Sequence, residues 1–359
     1  MSTNWLVDEK SGDLAAWVDN GRGQLDWVTG GGAIWPVTVG AADQGPDATW
    51  LTSLVSALIG TPREEAAQPR TYVGAAVRAG LGLAEKAAIA SGVDTAVIVN
   101  NSLLSVSPLG PSHLAGLSAA LTAAVARWPT RIVAARGIVA APEAVRQCAA
   151  MASGVALPSR VSYAFDLTRG ALPDKINATR DAAFLKKAGL DIVSHADFTD
   201  ADIAEAHRQY LAVYIGRHGS RNPRLTETFF RSVHRSRAAE FWGLRSAGNL
   251  AAFVALRDHG DFLSVPLIGY RTDADKKAGL YRQIFALALE VGQTRNAVVN
   301  FGAGAAQYKK LRGGSAAIEY MIIVPPRVTW LGRAVKSLLQ ASEEPLGRLV
   351  PKAIVHFGG

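Results

Sequence analysis

Residues 297–314 read AVVNFGAGAAQYKKLRGG, and the second half of the chain is interpreted outward from them. The apolar run 297–301 is typical of a buried strand, and the glycines that follow it favour a tight turn. Residues 305–312 then predict a short helix. A strand, a glycine turn and a helix in direct succession indicate a fold of the α/β class.

Upstream of this stretch the pattern predicts a strand meander and one long crossover helix. The strands cover 239–245, 250–257 and 262–270, and the helix covers 276–294. Pro266 lies inside the third strand, and because proline cannot donate a ladder hydrogen bond, a bulge, a splay or an edge strand is expected there. This order fits neither a Rossmann fold nor a barrel. The other elements predicted in this half are helices over 173–190, 200–216 and 224–237 and a last strand over 318–324.

The first half alternates helices and strands. Its first 45 residues are rich in glycine and tryptophan and indicate short strands and turns. Beyond them, helices are predicted over 47–59, 75–91, 112–128 and 142–153, and strands over 94–100, 132–139 and 161–167. The fold class expected for the whole chain is therefore α/β, with a mixed (α+β) sheet.

The composition supports about two packed domains and places the basic charge in one of them. The chain has 359 residues, of which 49 % are apolar and 19 % charged. Residues 1–160 carry a net charge of −1 and residues 161–359 a net charge of +9, in agreement with the overall +8. A phosphate-rich ligand favours such a half, and a basic surface that only aids solubility stays open as the alternative.

Several enzyme classes are disfavoured by the motifs that the sequence lacks. It contains no G-x-x-x-x-G-K-[ST], no H-E-x-x-H and no G-x-S-x-G, so a kinase, NTPase, zinc hydrolase or serine hydrolase is not expected. A single cysteine, Cys148, rules out a disulfide framework, and the histidines show no metal-ligand spacing, so no metal site is expected. No signal peptide or apolar run of membrane length is present, which predicts a cytoplasmic protein.

The stretch from Tyr270 to Tyr281 is the first candidate binding element. It leads from a strand into a helix, and Lys276, Lys277 and Gly279 lie where that helix begins. Backbone N–H groups, the positive end of the helix dipole and two cations together suit an anion such as a pyrophosphate. An ordinary helix start with two solvated lysines is the alternative.

Tyr308 and Lys309, on the short helix after the glycine turn, are the second candidate. A lysine near a reacting carbonyl stabilises a developing oxyanion, and a tyrosine can relay a proton. They are therefore the predicted catalytic residues, with an ordinary surface helix as the alternative.

Together these elements resemble the GNAT fold and, more narrowly, the FemAB-type, acetyltransferase-like proteins that have two GNAT domains in tandem. The resemblance covers about residues 160–326. It rests on the meander, the glycine-containing helix start, the strand end Asn300-Phe301-Gly302 and the element Tyr308-Lys309-x-x-x-Gly313. The basic helix from Lys175 to Gly189 and the helix end at Arg217 resemble further family elements.

Three positions depart from the family pattern. Asn300 stands where the family has an acid, and Arg312 stands where an aromatic residue precedes Gly313. The acetyl-CoA loop, Gln/Arg-x-x-Gly-x-Gly/Ala in typical GNAT enzymes, reads Lys276-x-x-Gly279-x-Tyr281 here. These departures weaken the expectation of coenzyme A binding and favour aminoacyl-tRNA, the donor of some family members.

The resemblance implies a transferase that moves an aminoacyl group from aminoacyl-tRNA onto the amine of a small molecule or peptide and so forms an amide. It implies catalysis by Lys309 and Tyr308 and no tightly bound cofactor. The implied donor site consists of Tyr270, Lys276, Lys277, Gly279 and Arg217. Two alternatives stay open: an N-acyltransferase that takes acyl-CoA or a carrier-protein thioester, and a non-catalytic binding protein on a GNAT scaffold.

The domain layout expected from the resemblance has three parts. A diverged GNAT-like domain covers 1–160, a catalytic GNAT-like domain covers 161–327, and a C-terminal extension covers 328–359. The extension begins with apolar pairs every four residues, separated by cations. This amphipathic pattern favours packing on the protein's own core, and contact of 328–341 with an anionic membrane surface stays open.

Overall fold

The structure of the protein is a computed structural model that describes residues 12–61, 75–90 and 92–326. Its helices are α1 (Ala75–Ala90), α2 (Leu114–Arg127), α3 (Pro142–Met151), α4 (Ile176–Lys187), α5 (Asp200–His218), α6 (Glu227–Arg235), α7 (Leu280–Thr294) and α8 (Ala306–Lys310). Its strands are β1 (Gly23–Gly30), β2 (Ala33–Gly40), β3 (Val97–Val99), β4 (Val133–Ile138), β5 (Val155–Asp166), β6 (Asp191–Val193), β7 (Glu240–Ser246), β8 (Asn249–Asp258), β9 (Leu263–Tyr270), β10 (Val298–Asn300) and β11 (Ser315–Val324).

These strands form one sheet in the order β1-β2-β3-β4-β11-β5-β10-β9-β8-β7-β6, and the order contains a repeat. Each half of the chain has three neighbouring antiparallel strands (β1–β3 and β7–β9), then a crossover helix (α2 and α7); in the first half α1 lies between β2 and β3. Next comes a strand parallel to the last meander strand (β4 and β10), followed by a short helix (α3 and α8) and a long strand (β5 and β11). The two halves are therefore two copies of one architecture, as the tandem interpretation predicts.

The long final strands are exchanged between the halves. β11 pairs antiparallel with both β4 and β5, and β5 pairs antiparallel with both β11 and β10. The ladder between the two long strands runs from Ser315↔Ala164 to Ile323↔Val155. Because the fourth strand of each half pairs with the last strand of the other, hydrogen bonds join the halves into one continuous sheet.

Helices cover both faces of the second half of this sheet. Alternate residues of β8 point to opposite faces. Phe253 and Ala255 belong to a core shared with α5 and α6, whereas Val254 and Leu256 belong to a core shared with α4 and α7. Leu103, in the loop after β3, joins the α5 core, so this loop of the first half lies on the α5 face.

The predicted meander, crossover helix and glycine turn of the second half are confirmed within a few residues. The strand predicted over 161–167 is β5, which begins earlier, at Val155, and tolerates Pro158 beside a bulge opposite β11. The domain boundary expected at residue 160 therefore falls inside β5. The short strand β6 was not predicted.

The helix predicted over 47–59 is wrong in most of its length. Only the end of that segment is helical, as a π-helical turn over Ser56–Gly60. The carbonyls of Trp50 and Leu51 accept hydrogen bonds from the Arg136 side chain instead of from helical N–H groups. The extension over 328–359 lies outside the described residues. No helix in the described ranges has the length and apolar character needed to cross a membrane.

Candidate functional site

β9 and β10 separate after a short parallel contact, at the place where Pro266 predicts a break. Their last pair is Ser264↔Asn300. Beyond it β9 continues to Tyr270, whereas Gly302, with a φ of +64°, turns the other chain segment away. The splay that the sequence predicts is therefore present in the sheet.

A loop from the first half fills this splay. The hydroxyl of Ser105 donates a hydrogen bond to the Pro266 carbonyl at 2.6 Å. A Cβ atom placed on Gly302 would lie 2.7 Å from Cγ2 of Val106, so Val106 packs directly on the turn. A carbonyl that an extended ligand would meet in the splay is thus occupied, and the space over the turn is taken by this chain itself.

Lys309 is buried beneath the same turn, with 3 % of its surface exposed. Its Nζ donates to the carbonyl oxygens of Phe301, Gly302 and Ala303 at 3.0, 2.9 and 2.9 Å. Burial, together with the nearby charge of Arg160, lowers the pKa of Lys309 to about 7. Because an ammonium group has three protons and three carbonyls engage it, this side chain holds the turn in place.

Tyr308 faces a different environment from Lys309. Its hydroxyl lies 3.4 Å from Oδ2 of Asp181, a buried carboxylate that also accepts from Arg282 and Arg312 at 2.7 and 2.6 Å. The guanidinium of Arg312 lies 3.4 Å from the centre of the Tyr308 ring. Burial raises the pKa of Tyr308 well above its ordinary value.

The two predicted catalytic side chains therefore do not converge on one point. The amine of Lys309 faces the turn after β10, and the hydroxyl of Tyr308 faces Asp181 on α4. Their geometry supports positioning roles for both, and their catalytic role stays a prediction. Arg312, which departs from the family pattern, has a structural partner in Asp181.

The predicted donor-binding residues gather at the start of α7. Gly279, with a φ of +56°, precedes the helix, and a Cβ atom there would lie 2.8 Å from the Phe184 ring of α4. Lys276 and Lys277 are exposed next to it. The ring of Tyr270 lies 5.7 Å from that of Tyr281, in the first turn of α7.

Arg217, the remaining predicted donor residue, lies in the last turn of α5, and its side chain is outside what the structure describes.

α4 extends the positive charge of this surface. Its buried residues pack against α7, and its other side is exposed. Arg282 of α7 lies with its guanidinium 4.8 Å from the Phe184 ring and so joins the two helices. We call the exposed cations at this place the basic face: Lys175, Arg180, Lys186, Lys187, Lys276 and Lys277.

A small cavity, partly open to solvent, lies where the loop after β3 crosses the middle of the sheet. Its polar lining consists of Trp50, Asn100, Asn101, Ser105, Ser107, Arg136 and Arg160. These residues come from separate segments of the chain. No spacing in the sequence connects them, so the cavity could not be predicted from the sequence.

Two arginines and one carboxylate determine the charge at this cavity. Arg136 donates to the carbonyls of Trp50 and Leu51 at 2.6 and 2.9 Å, and Arg160 donates through Nε to Glu319 at 2.7 Å. Burial and the neighbouring Arg160 lower the pKa of Arg136 to about 9, an effect that Glu319 opposes. Arg160 is thus paired with Glu319, whereas Arg136 has no carboxylate partner among the described residues.

A known protein family matches part of the second half of the chain. Residues 177–310 match the family model described as the Acetyltransferase (GNAT) domain. Residues 177–310 are a GNAT acetyltransferase-like domain. This match confirms the GNAT resemblance and the expectation of an acyltransferase-type enzyme. No curated protein sequence matches the chain.

Solved structures with a similar architecture include L-PGS from Bacillus licheniformis, at 12 % identity, TM-score 0.49, over 93 % of this chain and 95 % of that one. The C-terminal DUF2156 domain of a candidate lysylphosphatidylglycerol synthetase from Agrobacterium fabrum has 14 % identity, TM-score 0.46, over 64 % and 77 %. FemX has 7 % identity, TM-score 0.44, over 59 % and 77 %. These likenesses concern architecture and say nothing of the substrates of this chain.

The splay and the start of α7 are the two places where the sequence analysis expects ligand contacts. Here the first is filled by Ser105 and Val106, and the second carries exposed cations. Among the described residues no cluster of His, Cys, Asp and Glu side chains is arranged to hold a metal ion.

Proposed function

We propose that this protein transfers an aminoacyl group from aminoacyl-tRNA onto the amine of a small molecule or peptide and so forms an amide bond. The neutral amine attacks the ester carbonyl and forms a C–N bond, the ester C–O bond breaks, and the proton of the nitrogen goes to the ribose hydroxyl that leaves. The protein contributes by holding both reactants in place and by stabilising the charge of the tetrahedral intermediate.

The occupied splay is the observation that carries the choice of donor. An acyl-CoA or a carrier-protein thioester presents its carbonyl at the end of an extended pantetheine arm. That arm would have to displace Val106 and break the 2.6 Å hydrogen bond between Ser105 and Pro266. An aminoacyl ester at the end of a tRNA needs no such arm, so the filled splay favours tRNA over a thioester.

The basic face supports the same donor. Its cations lie on two adjoining elements of the half that carries the whole basic excess of the chain. Exposed lysines and arginines in such an arrangement suit a phosphate backbone, which binds with release of counterions. The face is open to a large ligand, whereas the cavity at the middle of the sheet is too small for one.

The test is a titration of the full chain with bulk aminoacylated tRNA at two salt concentrations. Between about 50 and 200 mM salt we expect the affinity to fall about a hundredfold, as for four phosphate contacts. Labelled amino acid should also leave the tRNA when a mixture of amines is added. Absence of tRNA binding at both salt concentrations, together with binding of acyl-CoA, would instead support a thioester donor.

Two double variants test whether the basic face causes the salt dependence of tRNA binding. Lys186→Ser with Lys187→Ser should reduce the salt slope of tRNA binding by about 2, because two phosphate contacts are lost. Arg22→Ser with Lys86→Ser removes the same charge from exposed positions of the first half and should leave the slope unchanged. Equal slopes for both double variants would contradict the assignment of this surface.

A further inference from the structure

Three tyrosine rings form a row at the start of α7. Tyr270 ends β9, Tyr281 lies in the first turn of α7, and Tyr308 lies on α8. The ring centres of Tyr270 and Tyr281 are 5.7 Å apart, and those of Tyr281 and Tyr308 are 5.0 Å apart. Each of the three residues is partly exposed. We call Tyr270, Tyr281 and Tyr308 the tyrosine row.

The inner side of the tyrosine row is held by the protein itself. Phe285, a buried residue of α7, lies with its ring centre 6.1 Å from that of Tyr281 and 5.2 Å from that of Tyr308. The guanidinium of Arg312, 3.4 Å from the centre of the Tyr308 ring, occupies one face of that ring. Tyr308 is therefore the inner end of the row, and a ligand would contact Tyr270 and Tyr281. Rings that are already held in place lose little conformational entropy when a ligand stacks on them.

Two cations lie in the turn between the two outer rings. Lys276 and Lys277 are both exposed there. The acids of this turn have other partners: Asp273 accepts from Arg271 at 2.9 Å. The carboxylate of Asp275 accepts from the backbone N–H of Lys277, also at 2.9 Å. Among the described residues neither lysine side chain has a carboxylate partner, so both charges are available to an anionic ligand.

Aromatic rings beside unpaired cations fit a single-stranded nucleic acid. Bases stack on aromatic side chains whatever their sequence, and lysines neutralise the phosphates that join them. Burial raises the pKa of Tyr281 to about 12, so its hydroxyl is uncharged at neutral pH and does not repel a phosphate. A double-stranded segment fits this place poorly, because its bases are paired and already stacked on one another.

We propose that Tyr270 and Tyr281 stack the unpaired bases at the 3′ end of the tRNA donor, while Lys276 and Lys277 contact the phosphates between these bases. Two rings receive about two bases. This assignment rests on the proposed function, in which the aminoacyl ester is attached to the end of that single strand. It adds a base-dependent contribution to the charge-dependent binding by the basic face.

The test measures, by fluorescence anisotropy, the affinity of the full chain for a labelled single-stranded RNA that ends in CCA. A strand of the same length and charge with abasic terminal residues is the matched ligand. It should bind about tenfold or more weakly, because it has no bases to stack. Coenzyme A and unlabelled RNA are compared as competitors.

Variants separate stacking from charge. Tyr281→Leu and Tyr270→Leu should each reduce the affinity for the CCA-ending strand about tenfold at every salt concentration and leave the salt slope unchanged. Tyr281→Phe keeps the ring and should bind within about twofold of the native chain. Lys276→Ser with Lys277→Ser should instead lower the salt slope by about 1.4, as for two phosphates of a single strand. Tyr320→Leu is the matched control, because this tyrosine is also partly exposed but packs against the core of the first half.

Tyr270→Leu, at the end of β9, keeps the proposal testable if the change in α7 prevents folding. Three outcomes would overturn the assignment: equal affinities for the CCA-ending and abasic strands, native affinity in both leucine variants, or stronger competition by coenzyme A than by unlabelled RNA. The last outcome would assign the tyrosine row to a thioester donor.

The result is separable from that for the proposed function. Salt-dependent tRNA binding that does not depend on the terminal bases retains the proposed donor and rejects the tyrosine row as its binding site. Base-dependent binding of the single strand, without aminoacyl transfer from tRNA, retains the tyrosine row as a nucleic-acid site and rejects the proposed function.

Discussion

At the scale of single residues, a variant of Lys309 shows whether this side chain has a catalytic role or a positioning role. Lys309→Met removes the donor to three carbonyls, two of them buried, and should lower the free energy of unfolding by about 2–3 kcal/mol. Urea denaturation measures this change. Lys310→Met is the matched control, because the neighbouring lysine is exposed and should cost less than about 0.5 kcal/mol. A Lys309 variant that unfolds like the native chain but loses turnover would support catalysis instead.

The same lysine predicts a pH dependence of stability. The pKa of Lys309 is about 7 in the folded protein, from an ordinary value of 10.5. Between these values the unfolded chain binds a proton that the folded chain has released, so stability rises with pH through this window. From pH 7 to pH 9 the stability difference between native chain and Lys309→Met should therefore widen, by at most about 1.4 kcal/mol per pH unit. A difference that narrows over this range would contradict the lowered pKa.

Lys309 could be picked out as a candidate residue from the sequence, but its contacts with the turn could not. Its spacing after the glycine turn is local and visible in the sequence. Its three acceptors are local too, yet two of its neighbours lie on β5, far away in the chain: the Tyr163 ring, 5.8 Å from its Nζ, and Arg160, whose charge helps to lower its pKa. Asn100, Arg136 and Arg160 were missed for the same reason, since only the folded sheet brings them together.

At the scale of elements, the turn between β10 and α8 and the loop in the splay depend on each other. Gly302 and Gly304 both have positive φ, +64° and +80°, but only Gly302 has a close neighbour, Val106. Gly302→Ala should therefore cost about 2–4 kcal/mol, the sum of backbone strain and a clash, and Gly304→Ala about 1–2 kcal/mol for strain alone. Urea denaturation of the two variants, side by side, checks the difference.

A double variant tests whether the contact with Val106 is the cause. Combining Gly302→Ala with Val106→Ala removes the methyl group that the new Cβ would meet at 2.7 Å. The two changes should then cost less together than the sum of each alone, by about 0.5–3 kcal/mol. Additive costs would show that the loop of the first half does not rest on this turn.

At the scale of the whole molecule, local patterns predicted the elements but not their partners. The meander, the crossover helix and the glycine turn follow from periodicity and turn residues, which act within a short window. The pairing of β11 with β4 and β5 joins residues such as Ile323 and Val155, whose contact no local pattern specifies. The boundary expected at residue 160 lies inside β5. A strand that pairs with both halves has the same sequence pattern as a strand that pairs within one half, so the pattern does not show where one half ends.

This strand exchange predicts that the two halves unfold together. Each half lacks its own long strand until the other half folds, so neither can complete its sheet alone. Six of the eight tryptophans lie before residue 160, which makes fluorescence a probe of the first half, whereas far-ultraviolet circular dichroism reports on both. Urea unfolding of the full chain should give one transition with the same midpoint by both signals. A fluorescence midpoint clearly apart from the dichroism midpoint would show that the exchanged strands do not couple the halves, and that the sheet is two units in contact.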